Sequence, residues 1–132
     1  MKKTDEILLG RKKTDGNLWR LPGGFVDPKD NSKEETVSRE LHEETGFIAE
    51  LSTIKYIGSI QVDDFRYRRE LDKIITTIYH VPFTWGIVKG ADDLDEAKWF
   101  KLDEIIKNEG YQLVEEHKPF VTLLKTYFKK EL

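Results

Sequence analysis

The order of apolar and polar positions along the chain predicts short strands separated by polar loops. Residues 7–9 form an apolar run that ends at Gly10 and a basic loop, as a strand does when it leaves a core. The β-branched residues of 73–81 predict a nearly continuous strand, central in a sheet. Two more strands are predicted between 47 and 62, with a break at 51–53. Brief extended segments are predicted at 18–21 and 97–100.

Capping signals and helical periodicity predict three helices. Ser32 and Glu35 stand three residues apart, as in a capping box, and Gly46 can supply the left-handed residue that often follows a helix. These signals predict a helix over 33–45. A second helix is predicted over about 104–109 with Asp103 as its cap, and a third opens at Pro119 with an apolar face of Phe120, Val121, Leu124, Tyr127 and Phe128. Strands interrupted by three helices predict an α/β or α+β layered domain.

Length and composition narrow the class of protein. The 132 residues fit a single domain over 1–132, and 38% hydrophobic residues are enough for one core. Lys plus Arg (22) nearly balances Asp plus Glu (25), so a general nucleic-acid binder is not expected. The absence of Cys excludes disulfides and thiolate metal sites and fits the cytoplasm. The sequence shows neither an apolar run of about 18 residues nor a signal peptide, so no membrane partner is expected.

Three glutamates of the first predicted helix share one face. Glu40, Glu43 and Glu44 stand at i, i+3 and i+4, within an arc of roughly 100°. Each like-charged pair costs a few tenths of a kcal/mol unless cations neutralise it. Mg²⁺ and Mn²⁺ prefer oxygen ligands, and Mg²⁺ commonly binds carboxylates together with substrate phosphate oxygens. The pattern therefore predicts a divalent-metal site for phosphate chemistry, and the alternative is a solvated acidic surface.

The sequence around these glutamates resembles the signature of the Nudix hydrolases, Gx5Ex7REUxEExGU. Gly24 and the segment 39–47, RELHEETGF, match the pattern, and the second half agrees at every defined position. The first half departs from it, because Asp30 stands where Glu is usual and eight residues, not seven, separate it from Arg39. Asp30 or Asp27 is expected to take the structural role of that Glu, which leaves the metal ligands untouched.

The resemblance implies a Nudix fold, in which a mixed β-sheet core lies between helices. The usual first strand is expected to be missing, because residues 1–6 look like the turn of a hairpin. The implied reaction is metal-dependent hydrolysis of the diphosphate linkage in a nucleoside diphosphate joined to a group X. ADP-ribose or a related nucleotide sugar is the expected substrate. The alternatives are a nucleoside triphosphate pyrophosphohydrolase that removes damaged nucleotides and a catalytically weak nucleotide-binding regulator. Family members commonly form homodimers, which is expected here too.

The resemblance also implies roles for the box residues. Glu40, Glu43 and Glu44 would bind Mg²⁺ or Mn²⁺, and the Gly24 carbonyl would complete a coordination shell. Arg39 would orient the carboxylates by ion pairing. The ordinary alternative for Arg39 is a surface pair with Glu35, four residues earlier, worth at most about 0.5 kcal/mol.

A general base is expected outside the box, because family members often recruit it from another loop. The acidic loop 92–96 is the best source, with Asp93 or Glu96 as the candidate and Glu70 in reserve. For any one of them, a solvated acidic turn is an equally good interpretation.

Short matches at 86–93 and at Glu116-His117 resemble ADP-ribose pyrophosphatases and the Nudix half of bifunctional nicotinamide mononucleotide adenylyltransferases. Aromatic rings could stack on adenine and arginines could pair with phosphate or ribose oxygens, although core packing is the commoner fate of aromatic residues. The substrate-binding candidates are Phe65, Arg66, Tyr67, Arg68 and Trp19, with Trp85 and Arg69 as further possibilities.

Overall fold

The computed structural model describes residues 1–62 and 74–129. In these ranges the elements follow the order β1 (Lys2–Lys3), β2 (Glu6–Arg11), α1 (Lys33–Thr45), β3 (Lys55–Val62), β4 (Ile74–His80), β5 (Glu96–Lys101), α2 (Leu102–Lys107) and α3 (Phe120–Phe128). Short 3₁₀ turns lie at Lys13–Asp15, Leu51–Thr53 and Glu115–His117. None of the helices in the described residues is both long and apolar enough to cross a membrane.

The strands form two antiparallel sheets that β1 holds together. β2 lies between β1 and β5, and β3 pairs with β4. The Lys2 amide donates to the Val81 carbonyl at 2.9 Å, and the Phe83 amide donates to the Lys2 carbonyl at 2.8 Å. The hairpin turn expected within residues 1–6 is present, and it joins β2 to the two-residue strand β1.

Two clusters of buried side chains pack the helices onto the sheets. The cluster beneath α2 and α3 contains Ile7, Leu9, Leu102, Ile105, Leu113, Val121, Leu124 and Phe128. The cluster beneath α1 contains Leu8, Leu41, Phe47, Ile54 and Val81. Successive residues of β2 point to opposite faces, so Leu8 joins one cluster and its neighbours Ile7 and Leu9 join the other. The layered α+β class is confirmed.

The first helix follows the sequence prediction closely. α1 spans Lys33–Thr45, the Ser32 hydroxyl accepts a hydrogen bond from the Glu35 amide at 3.1 Å, and Gly46 adopts φ 81°. The third helix begins directly after Pro119 and buries four of its five predicted apolar residues, while Tyr127 stays 38% exposed.

Two predictions of local structure are wrong. Residues 47–50 do not form a strand, and Ile48 is 77% exposed. Asp103 does not cap α2, which starts at Leu102 immediately after β5 and buries that leucine. β4 pairs with β3 along its length, and the residues that follow it bond to Lys2 of β1, so the segment predicted at 73–81 lies between β3 and β1.

Candidate active site

The last two turns of α1 carry the three glutamates, and buried contacts fix how this part of the helix is rotated. Leu41 and Thr45 are buried, with 5% and 2% exposure. The helix end is held by a neighbouring loop, because the Ala91 amide donates to the Glu44 carbonyl at 2.8 Å and the Lys89 amide donates to the Thr45 carbonyl at 3.4 Å. These bonds satisfy carbonyls that a helix end leaves without partners.

The glutamates form a gradient from buried to exposed. Glu44 is 3% exposed, whereas the side chains of Glu40 and Glu43 are 16% and 42% exposed. The three carboxylates therefore share a face, as predicted, but they sit in different surroundings. Glu43 is closest to solvent and Glu44 lies beneath the loop 21–24.

Arg39 binds three carboxylates at once. Its Nη1 donates to Glu40 at 3.0 Å and to Glu43 at 3.4 Å. Its Nε and Nη2 donate to the two oxygens of Asp30 at 3.1 and 3.0 Å, and Nη2 also donates to the Phe25 carbonyl at 3.0 Å. This is the geometry that an orienting role requires.

The substituted position of the signature, Asp30, is the centre of a bonded turn. It accepts hydrogen bonds from the Asp27 amide at 2.9 Å and from the Thr36 hydroxyl at 2.8 Å, in addition to Arg39. The Arg39 bonds, with help from these donors, hold the pKa of Asp30 far below its ordinary value. Asp30, not Asp27, thus contacts Arg39. Sequence reasoning missed Thr36, for which the only signal is a hydroxyl one turn into the helix.

The buried carboxyl group of Glu44 has a strongly raised pKa. Burial and, next, the nearby charge of Glu40 raise the pKa of Glu44 to about 8. The smaller opposing effects of Lys12 and the Gly23 backbone do not offset them. A protonated Glu44 can donate a hydrogen bond to Glu40. A proton on the Glu40–Glu44 pair relieves the repulsion between the two carboxylates, and a bound cation could do the same.

Gly24 lies directly against the Glu40 carboxylate. A Cβ atom added at Gly24 would come within 2.3 Å of the Glu40 Cδ and Oε1 atoms, whereas one added at Gly23 would meet nothing within 4 Å. The backbone can approach this carboxylate only because position 24 has no side chain. Gly24, whose carbonyl is a predicted ligand, and the predicted ligand Glu40 are therefore neighbours.

These groups fit a hard divalent cation by their chemistry. Carboxylate and carbonyl oxygens are the donors that such ions prefer, and the positive charge of Lys12 does not offset the effect of burial and of Glu40 on the pKa of Glu44. Across residues 1–62 and 74–129, however, no three Asp, Glu or His side chains already converge as a metal site. Glu40 and Glu43 point to Arg39 and would have to turn toward an ion.

The candidate bases differ in how they are engaged. Asp93 is exposed on the turn that follows Ala91, whose amide is bonded to the end of α1. Glu96, at the start of β5, is ion-paired with Arg11 across the β2–β5 ladder. Glu70 lies outside the described residues.

The aromatic candidate Trp19 is half-buried in protein contacts. Its ring meets Phe100 edge-on with centroids 4.9 Å apart, and the Arg11 guanidinium carbon lies 5.3 Å from the ring centroid. Trp85, in contrast, is 82% exposed. The candidates Phe65, Arg66, Tyr67, Arg68 and Arg69 lie outside the described residues.

Comparison with known proteins agrees with this geometry. The NUDIX domain model matches residues 1–124. An ADP-ribose pyrophosphatase from Methanocaldococcus jannaschii is 31% identical over 109 residues, which cover 81% of this chain and 61% of that protein. The chain therefore belongs to the NUDIX domain family.

Solved structures show the same fold. A bifunctional NMN adenylyltransferase/ADP ribose pyrophosphatase from Francisella tularensis, complexed with AMP and a Mn ion, is 25% identical with a TM-score of 0.64, covering 97% of this chain and 38% of that one. The E. coli ORF135 protein is 24% identical with a TM-score of 0.73, covering 97% of this chain and 84% of that one. The present chain thus spans 61% of the archaeal pyrophosphatase and 38% of the bifunctional Francisella protein.

Proposed function

We propose that this chain is a divalent-metal-dependent pyrophosphohydrolase that cleaves the diphosphate linkage of a nucleoside diphosphate joined to a group X. The observation that carries the proposal is the contact between the Gly24 backbone and Glu40 beside buried Glu44, whose pKa is raised to about 8. Such a charge arrangement is costly in a purely structural surface and useful in a site that takes up a cation.

ADP-ribose is the substrate we propose first, with a related nucleotide sugar as the wider class. Support comes from the names of the archaeal and Francisella relatives, both of which include ADP-ribose pyrophosphatase. The metal is proposed to be Mg²⁺ or Mn²⁺, and the Francisella structure contains a Mn ion. A single catalytic domain over 1–132, a homodimer and a cytoplasmic location remain predictions.

The proposed site contains two kinds of residue: those that would bind the metal and a base that would accept a proton from water. Glu40, Glu43, Glu44 and the Gly24 carbonyl would hold the metal, which when bound neutralises phosphate oxygens and lowers the pKa of a coordinated water. Arg39 orients the carboxylates through its bonds to Glu40 and Glu43.

Asp93 is our preferred base for accepting the proton of the attacking water. It is exposed on a turn tethered to α1 through Ala91, whereas Glu96 is already paired with Arg11. Asp93→Asn should therefore lower kcat more than Glu96→Gln does. The reverse order would transfer the role to Glu96, and two unimpaired variants would leave Glu70 as the candidate.

The direct test is a hydrolysis panel with ADP-ribose, dinucleotides, nucleotide sugars and nucleoside triphosphates, with and without Mg²⁺. Glu43→Gln should abolish metal-dependent hydrolysis and leave the circular dichroism spectrum unchanged, because Glu43 is the most exposed of the three ligands. Glu104→Gln, an exposed glutamate on α2, is the matched control and should retain activity.

Two outcomes would contradict the proposal. Turnover by Glu43→Gln at the wild-type rate would remove the metal role from this face. Tight ADP-ribose binding without any turnover by the wild type would identify a regulatory nucleotide-binding domain. A preference for nucleoside triphosphates would support metal-dependent pyrophosphohydrolysis but contradict ADP-ribose as the substrate.

A further inference from the structure

The loop 21–24 positions two backbone groups of the proposed metal site. The Gly23 backbone lies near enough to the Glu44 carboxylate to lower its pKa, and Gly24 lies against the Glu40 carboxylate. None of the residues 21–24 belongs to a helix or strand, and Pro22 has no backbone N–H to donate. The placement of the loop therefore depends on the few bonds that its remaining amides make.

The segment that leads into this loop runs parallel to the chain around Leu113. The Trp19 amide donates to the Gln112 carbonyl at 2.9 Å, and the Val114 amide donates to the Trp19 carbonyl at 2.8 Å. In a continuing parallel ladder the Leu21 amide would donate next to the Val114 carbonyl. It does not, because the chain turns at residue 115 into a 3₁₀ turn.

His117 occupies the Val114 carbonyl with its own amide and offers the Leu21 amide a different acceptor, its ring nitrogen Nδ1. Its own amide donates to the Val114 carbonyl at 3.0 Å, and its Nδ1 accepts the Leu21 amide at 2.9 Å. The imidazole thus extends the ladder by one bond, at the residue where the loop 21–24 begins. Its ring lies edge-on to buried Phe120, with centroids 6.0 Å apart, which limits its rotation.

We infer that His117 is a positioning residue that sets the loop 21–24 against the carboxylates of α1. This inference rests on the proposed function for its catalytic meaning, although its metal-binding consequence can be measured without any substrate. The accepting Nδ1 has no proton in this bond, so the hydrogen bond selects an imidazole with an unprotonated Nδ1. A side chain that only donates cannot take its place.

Three substitutions separate this role from simple packing. His117→Ala removes the acceptor. His117→Asn keeps an acceptor oxygen at about the distance of Nδ1 along the side chain, whereas the longer His117→Gln places its polar atoms near the position of Nε2. His80→Ala is the matched control, because the His80 ring also lies edge-on to a phenylalanine of α3, Phe128, at 5.1 Å.

The experiment is calorimetric titration of each folded variant with Mn²⁺ alone, followed by ADP-ribose kinetics. His117→Ala and His117→Gln should weaken Mn²⁺ binding by about three- to tenfold, the factor that corresponds to one lost hydrogen bond. His117→Asn and His80→Ala should stay within about twofold of the wild type. Faster hydrogen exchange of the Leu21 amide in His117→Gln would report the same lost bond directly.

Equal losses in the Asn and Gln variants, or unchanged Mn²⁺ binding in both Gln and Ala, would overturn the inference. If His117→Ala does not fold, the contrast between Asn and Gln still decides. If the variants show these changes in Mn²⁺ binding but the wild type hydrolyses no nucleotide, the proposed function is overturned and the positioning role of His117 stands.

Discussion

Two arginine-centred clusters in this molecule differ in their balance of charge. In the Arg39 cluster, Asp30, Glu40 and Glu43 share the Arg39 guanidinium, and Glu44 adjoins Glu40. The Arg20 cluster contains Arg20, Asp15 and Glu116, with bonds of 2.7 and 3.2 Å. Lys12 adds positive charge near Asp15.

The clusters also differ in exposure. The side chains of Arg20, Asp15 and Glu116 are 11%, 5% and 7% exposed, whereas that of Arg39 is 30% exposed. Burial would raise the pKa of Asp15, but the Arg20 bonds and nearby positive charges outweigh it and lower the pKa. The balanced, buried cluster joins distant parts of the chain, and the unbalanced, open one retains negative charge for a ligand.

The largest expected effect is on stability in the balanced cluster. Arg20→Ala leaves two buried carboxylates without their partner and should lower the free energy of unfolding by about 3–5 kcal/mol. Arg39→Ala, in the more exposed cluster, should cost about 1–2 kcal/mol. Urea unfolding followed by tryptophan fluorescence measures both, and equal costs would erase the distinction between the clusters.

The next effect concerns activity in the unbalanced cluster. Gly24→Ala should lower kcat/KM by about a hundredfold, because its Cβ displaces the Glu40 carboxylate from the site. Stability should change little, since the displaced group is the end of a flexible side chain. Gly23→Ala meets nothing within 4 Å and is the control. Similar activity in both alanine variants would show that the approach to Glu40 is irrelevant to catalysis.

A smaller loss of activity is expected at the substituted signature position. Asp30→Ala removes a partner of Arg39 but no proposed ligand, so hydrolysis should fall by about tenfold. Glu44→Ala removes a ligand and should cost much more. Steady-state kinetics at saturating Mg²⁺ compares the two, and equal losses would mean that Asp30 has been assigned too minor a role.

The last effect is a pH dependence of stability in metal-free protein. The pKa of Glu44 is about 8 in the folded state against an ordinary value of 4.5, so the folded state binds the proton more tightly. The stabilisation is complete below the lower pKa and is lost as pH rises through the higher one. Between pH 5 and 9 in EDTA, the Tm of the wild type should fall by about 12–15 °C relative to that of Glu44→Gln, which cannot ionise. Parallel melting curves would contradict the raised pKa.

Local signals explain where sequence reasoning succeeded. The caps of α1, Ser32 and Gly46, act within a few residues, so both ends of the helix were predictable. The strand expected at 47–50 failed because β propensity requires a partner strand, and exposed Ile48 has none to pack against. The Asp103 cap failed because burial of Leu102 takes the helix start directly to the end of β5.

The same reasoning applies to the sites. The acidic face of α1 could be predicted because its three glutamates repeat at helical spacing within five residues. The Arg20 cluster could not, since Glu116 lies 96 residues away from its arginine. The bond from Leu21 to His117 spans the same separation, and although the sequence singled out Glu116-His117 as a short match, nothing in it indicated that His117 contacts Leu21.

The place of the glutamates along α1 has a consequence for the order of events. All three lie in its last two turns, where the helix dipole ends in partial negative charge. The backbone therefore adds to the field of the carboxylates, which attracts cations and repels phosphates. We expect nucleotide to be turned away until a cation is present at this end of the helix or travels in on the nucleotide itself.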